Sequence, residues 1–179
     1  MKTYTRDEAA PIWQKYWDEM QKEWFKVEVL QDYSAEDNGP SLQAWQSGDK
    51  TKSIELLKST DTNEWIKACQ SKVNNGISLI RIHIVDEPYS KYLEWEMEAY
   101  KYINKPLCGE KINIIPRSKI NDLDIPKGDF MIFDNKRVVV NNYSDNGLMT
   151  HQTFYDETDD ISLFLELRES LLNISSKTH

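Results

Sequence analysis

Four residues carry the most distinctive chemistry in the chain: Glu28, Arg81, His83 and Glu96. Glu28 stands in Phe25-Lys-Val-Glu-Val-Leu30, an alternating run rich in β-branched and aromatic residues that reads as a short strand. Arg81 and His83 stand two apart in Ile77-Ser-Leu-Ile-Arg-Ile-His-Ile-Val85, so a strand points both to one face. That strand is apolar on both faces, as in a sheet covered on both sides. Arg81 therefore needs a buried partner, and Glu28 is the candidate. Glu96 lies at the margin of a helix read over residues 91–103, within reach of the sheet. The four are expected to form one polar cluster. Such a cluster is either a structural ion-pair network or a ligand-contact or acid–base centre.

Other chemistries find less support. The three histidines, His83, His151 and His179, show no His-x-x-x-His spacing, and there is no Cys-x-x-Cys pair. His83 followed by Asp86 and Glu87 is a possible partial metal site, against the simpler reading of a strand histidine held by a carboxylate. No metal and no cofactor are expected. Cys69 and Cys108 lie far apart in sequence and read as inert buried thiols. Glu94, Glu96 and Glu98 do not share a helical face, so Glu94 and Glu98 read as a solvated outer surface. There is no nucleophile elbow and no phosphate-binding glycine loop.

The elements that must position the four residues centre on residues 76–134. A strand over 77–85, the helix over 91–103 and a strand over 111–115 make a β-α-β unit. Strands at 130–133, 137–142 and 148–155 follow as a meander, turned at Asp134-Asn135 and Asp145-Asn-Gly147. Before this unit, Thr5-Arg-Asp-Glu8 has capping-box spacing, and Trp13, Tyr16, Trp17, Met20 and Trp24 fall on one helical stripe. That stripe reads as core-facing, with an aromatic ligand platform as the alternative. Short helices follow at 41–46 and 51–57. The next starts at Asp61-Thr-Asn-Glu64 and buries Trp65, Ile66, Cys69 and Val73. Four acidic residues between Asp156 and Asp160 then precede a last helix carrying Ile161, Phe164, Leu165, Leu171 and Leu172, with a frayed tail from Ser175.

The fold class is therefore α+β: a mixed sheet from a β-α-β unit and a C-terminal meander, with helices packed on it. A single domain of 1–179 is expected, mainly helical over 1–75 and mixed over 76–174. The net charge of −8 opposes direct nucleic-acid binding, which draws on clustered cations. No apolar run reaches membrane-spanning length, and the N-terminus lacks a secretory apolar region, so a soluble cytoplasmic protein is expected.

Several stretches carry a family resemblance. They are Trp24-Phe-Lys-Val-Glu-Val-Leu-Gln-Asp-Tyr33, Trp45-Gln-Ser-Gly48, residues 76–96, Gly109-Glu-Lys-Ile-Asn-Ile-Ile-Pro-Arg117 and Asp129-Phe-Met-Ile-Phe-Asp134. Together they resemble an uncharacterised bacterial domain-of-unknown-function family whose members are often encoded beside helix-turn-helix regulators. The resemblance covers roughly 20–150, departs where Tyr89 replaces a usual Leu, and fades in the C-terminal helix. It implies no activity. The β-α-β unit and its following strand are also similar to half of a phospholipase-D-like domain, whose strand carries His-x-Lys-x-x-x-x-Asp. Matching Asp134 to that Asp puts Lys127 and Asp129 at the His and Lys positions, so the nucleophile is missing. The resemblance implies a non-catalytic regulatory or interaction module that binds a protein partner, such as a transcriptional regulator, or a small ligand. The alternative is an enzyme with its site around Glu28, Arg81 and Glu96.

Overall fold

The structure, a computed structural model, describes residues 1–36 and 38–177. Its elements are β1 (Lys2–Thr5), α1 (Arg6–Glu19), β2 (Glu23–Glu28), α2 (Pro40–Gln46), α3 (Lys50–Lys58), α4 (Glu64–Asn74) and β3 (Ser78–Val85). Then come α5 (Lys91–Ala99), a π-turn (Tyr100–Asn104), β4 (Lys111–Pro116), β5 (Phe130–Phe133), β6 (Arg137–Tyr143), β7 (Met149–Tyr155) and α6 (Ser162–Ser176). All seven strands form one mixed sheet in the order β1-β7-β6-β5-β2-β3-β4. β2, β3 and β4 run parallel, and β5, β6, β7 and β1 add antiparallel. The expected β-α-β unit is β3-α5-β4, and the meander is β5-β6-β7.

Local chemistry explains the turns. Asp134 and Asn135 both take positive φ, 55° and 58°, as a tight hairpin requires and as these two residue types tolerate. The Asp134 carboxylate then accepts the backbone N–H groups of Gln21, Lys22 and Glu23 at 2.7–2.9 Å, which ties the α1–β2 corner to the hairpin. Gly128 precedes β5 because a Cβ there would lie 1.8 Å from the Asn141 carbonyl oxygen.

The two sheet faces are packed differently. Phe25, Val27, Ile82, Ile84, Phe130 and Ile132 meet Phe164, Leu167 and Leu171 of α6 on one face. The other face carries two aromatic-rich clusters. Trp17 and Tyr16 of α1 join Trp24 and Ile66 and Cys69 of α4 at one end. Tyr33, Leu42, Trp45, Tyr92 and Trp95 gather beneath α2, α3 and α5 at the other.

Five expectations are corrected. The N-terminus opens with β1 on the edge of β7 before α1 begins, so 1–75 contributes two strands. The helical stripe ends early: α1 stops at Glu19 and Trp24 lies in β2, where it still touches Trp17 with ring centroids 5.7 Å apart. The α4 cap is Asn63, whose Oδ1 accepts the Ile66 N–H at 2.9 Å. Val73 is exposed. Ser175 is buried within α6, Ser176 ends it and Lys177 is its C-cap, while Thr178 and His179, the last two residues of the expected frayed tail, lie outside the described residues, as does Asp37.

Candidate functional site

The register builds the charged layer. β2 and β3 are parallel, with Lys26 beside Arg81 and Glu28 beside His83. Odd and even positions alternate between faces, so these four side chains share the face opposite α6. Burial in such a layer demands partners, and Arg81, 7% exposed, has two. Its NH1 donates to Glu28 Oε1 at 2.6 Å and its Nε to Glu110 Oε2 at 2.7 Å. Lys26 Nζ also donates to Glu28 Oε1 at 2.6 Å, and Asn104 holds the second oxygen of Glu110 at 2.9 Å. Trp24 and Tyr100 flank the guanidinium with ring centroids 5.9 and 5.5 Å from its carbon.

Glu96 reaches this layer from α5, its Oε2 3.4 Å from His83 Nδ1. All four expected residues, Glu28, Arg81, His83 and Glu96, therefore meet. Asp86 and Glu87, the alternative neighbours of His83 in a possible partial metal site, do not join the layer. Both are exposed, and Asp86 instead accepts Arg117 at 2.7 Å.

Three components were not anticipated. Tyr100 sits one turn beyond Glu96, and its hydroxyl donates to Glu28 Oε2 at 2.6 Å while lying 2.8 Å from His83 Nδ1. The i,i+4 spacing of Glu96 and Tyr100 was the available signal. Glu110 enters from the loop before β4. Asp129 accepts Tyr33 at 2.9 Å, Tyr143 at 2.7 Å and the Val29 N–H at 2.9 Å, extending the polar layer toward β6 and β7. There Gln152 donates to Asn141 at 2.7 Å. The two cysteines also meet, far apart in sequence but with their Sγ atoms within 4.8 Å of each other.

The electrostatics follow from burial and neighbours. Burial pushes the Glu28 carboxyl up, but Arg81 and then Lys26 overcome it and hold Glu28 well below the usual carboxylate range. Burial pulls His83 down, opposed only in part by Glu28, so the imidazole is neutral near pH 7. Burial, then the Glu28 charge, pushes Glu96 well up. Burial likewise raises Asp129, against the pull of Lys26. The layer holds Glu28 as a carboxylate and raises Glu96 and Asp129, the pattern of a packed network with surplus negative charge.

Surface clefts lie elsewhere. One of about 570 Å³ opens between β1, α1 and β7, lined by Tyr4, Ile12, Tyr16 and Phe154 with Lys15 and Arg137 among its polar residues. A smaller one of about 310 Å³ lies beside the Asp134 turn, with Lys22, Lys136 and Arg137. Arg137 is paired in both, with Glu19 at 2.5 Å and Glu157 at 3.0 Å.

A family model described as a domain of unknown function, DUF6879, matches residues 11–179. The chain belongs to this family. The DUF6879 match runs through α6, so the resemblance that faded after residue 150 in sequence continues to the C-terminus. It starts inside α1 and leaves β1 outside. No curated protein matches the chain. No helix among the described residues is long and apolar enough to cross a membrane.

Proposed function

We propose that this chain is a non-catalytic regulatory or interaction module that binds a small ligand or a protein partner. A transcriptional regulator is the partner class suggested by the family resemblance. One observation carries the reading: Lys26, Glu28, Arg81 and Glu110 point inward and pair with one another, while an aromatic-lined cleft lies apart from them. Arg81 and Glu28 satisfy each other in the interior, where a substrate would have to displace paired charges at high cost. The cleft of about 570 Å³ is of ligand-site size and mixes aromatic walls with three cationic side chains, Lys2, Lys15 and Arg137. Its Asp156 carboxyl, hydrogen-bonded by Thr158, is held below the usual range, the wrong direction for a general acid.

The phospholipase-D-like positions support the same reading. Lys127 is exposed in a loop, Asp129 is locked between two tyrosines, and Asp134 is consumed by three backbone amides. The module comprises the whole chain, since β1 and β2 complete the sheet that the later strands begin.

The test is a thermal-shift series with small aromatic carboxylates, chosen to match the cleft's rings and its Lys15. Binding raises the melting temperature of the wild type, and Ile12→Glu, which places a charge in the apolar wall, abolishes the rise. Turnover of a model phosphodiester that Glu28→Gln eliminates would instead establish the enzyme reading.

A further inference from the structure

We propose that Glu28, His83 and Glu96 form a buried site for one divalent transition-metal ion of the zinc class. This goes beyond the cleft reading and does not depend on it.

Geometry is the first support. One ligand atom from each residue lies within 4.8 Å of the others. His83 Nδ1 is 3.7 Å from Glu28 Oε2 and 3.4 Å from Glu96 Oε2. Two ligands each about 2.0–2.1 Å from a tetrahedral zinc stand about 3.3–3.4 Å apart. The two histidine–carboxylate edges need to close by only a few tenths of an ångström, and the edge between the two carboxylates lies within 4.8 Å.

The tautomer is the second. His83 Nε2 lies 3.0 Å from the Leu30 carbonyl oxygen, which only accepts, so the proton of the neutral ring is on Nε2. Nδ1 then presents a lone pair to both carboxylates. A histidine ligand oriented by a backbone carbonyl on its other nitrogen is the usual arrangement at metal centres. Tyr100 has one proton for two acceptors, Glu28 Oε2 at 2.6 Å and His83 Nδ1 at 2.8 Å, so one of them keeps a lone pair without a proton.

The third is an orphan. Glu96 is 7% exposed, and its Oε2, aimed at His83 Nδ1, makes no well-formed hydrogen bond. Buried carboxylate oxygens ordinarily have a partner. The fourth is charge. Glu28, Glu96, Glu110 and Asp129 are four buried carboxylates, facing the two cations Arg81 and Lys26. Were all four ionised, two negative charges would remain, which one divalent ion neutralises; without an ion, burial raises Glu96 and Asp129 instead. The ion would bind β2, β3 and α5 together and load as the chain folds.

A second group, Cys69, Cys108 and Glu110, is also compact, but both Glu110 oxygens are already taken by Arg81 and Asn104. The experiment separates the two. The full-length chain is unfolded with EDTA, refolded with and without Zn²⁺ or Co²⁺, desalted and analysed for metal content, melting temperature and visible spectrum. The expected result is one ion per chain, a higher melting temperature with zinc, and cobalt bands of a four-coordinate nitrogen–oxygen site. Glu96→Gln, the same shape without the charge, lowers zinc affinity by about tenfold or more. The proposal is overturned if the refolded wild type retains no metal. It is equally overturned if Glu96→Gln retains as much zinc as the wild type, or if thiolate charge-transfer bands place the cobalt at the cysteines. The wild-type spectrum decides the matter even if the variant fails to fold.

Discussion

On one face of β2 and β3, Phe25, Val27, Ile82 and Ile84 lie against α6 with no polar atom among their side chains. On the other face of the same residues' neighbours, Lys26, Glu28, Arg81 and His83 form a chain of charged and hydrogen-bonded groups. Both faces are buried, yet they are held by different physics. The apolar face is stabilised by area removed from water and tolerates changes of shape. The polar face depends on direction and stoichiometry, so removing one member strands the rest. Two layers of one sheet therefore differ in how they fail.

The largest expected break is on the polar face. Arg81→Ala leaves Glu28 and Glu110 buried without their common cation and costs about 3–5 kcal/mol, read by urea denaturation. Making Glu28→Gln and Glu110→Gln together in an Arg81→Met background recovers much of the loss, because the stranded charges are gone. On the apolar face, Ile82→Ala costs about 2–5 kcal/mol, and no second change to a neighbour rescues it. Rescue of both, or of neither, dissolves the contrast.

The pH response sharpens the comparison, because only the polar face titrates. His83 has a folded pKa below its ordinary 6.5, so its contribution is present above that value and is lost as pH falls through the window beneath it. Glu28 acts in the same sense below its ordinary 4.5. Glu96, raised above 4.5, has the opposite sign: its contribution is present at low pH and is lost as pH rises. The difference in stability between the wild type and His83→Gln should therefore change by up to about 1.4 kcal/mol per pH unit just below pH 6.5. The difference from Glu96→Gln should run the other way, and Ile82→Ala should show a flat difference across the same range. The smallest effect is Ile82→Val, about 0.5–1.5 kcal/mol and independent of pH, measured by the urea midpoint.

Much of this arrangement is legible in the chain. The period-two runs at 25–30 and 77–85 put Glu28, Arg81 and His83 on strands, and the need to neutralise a buried Arg81 pairs it with Glu28. Glu96 follows from its helical margin. Glu110 and Asp129 are harder to see, because each stands at a loop edge where no periodicity marks its direction. The meeting of Cys69 and Cys108 depends on where α4 and the loop after the π-turn come together, and nothing local encodes it. β1 was hidden by its neighbour: Thr5 serves as a helix cap, and Lys2-Thr-Tyr-Thr5 becomes a strand only because the edge of β7 offers it unpaired amides and carbonyls.

By itself the sequence determined most of the elements, most of their apolar faces and the identity of a four-residue cluster, because side-chain periodicity is a local property of helix and strand. Tertiary structure decided the rest. It placed β2 beside β3 in the register that sets Glu28 against His83, brought Tyr100 and Glu110 to complete the layer, and left Glu96 Oε2 facing a lone pair. Those are matters of distance and stoichiometry between segments far apart in the chain, and they exist only once the sheet and its covering helices have assembled.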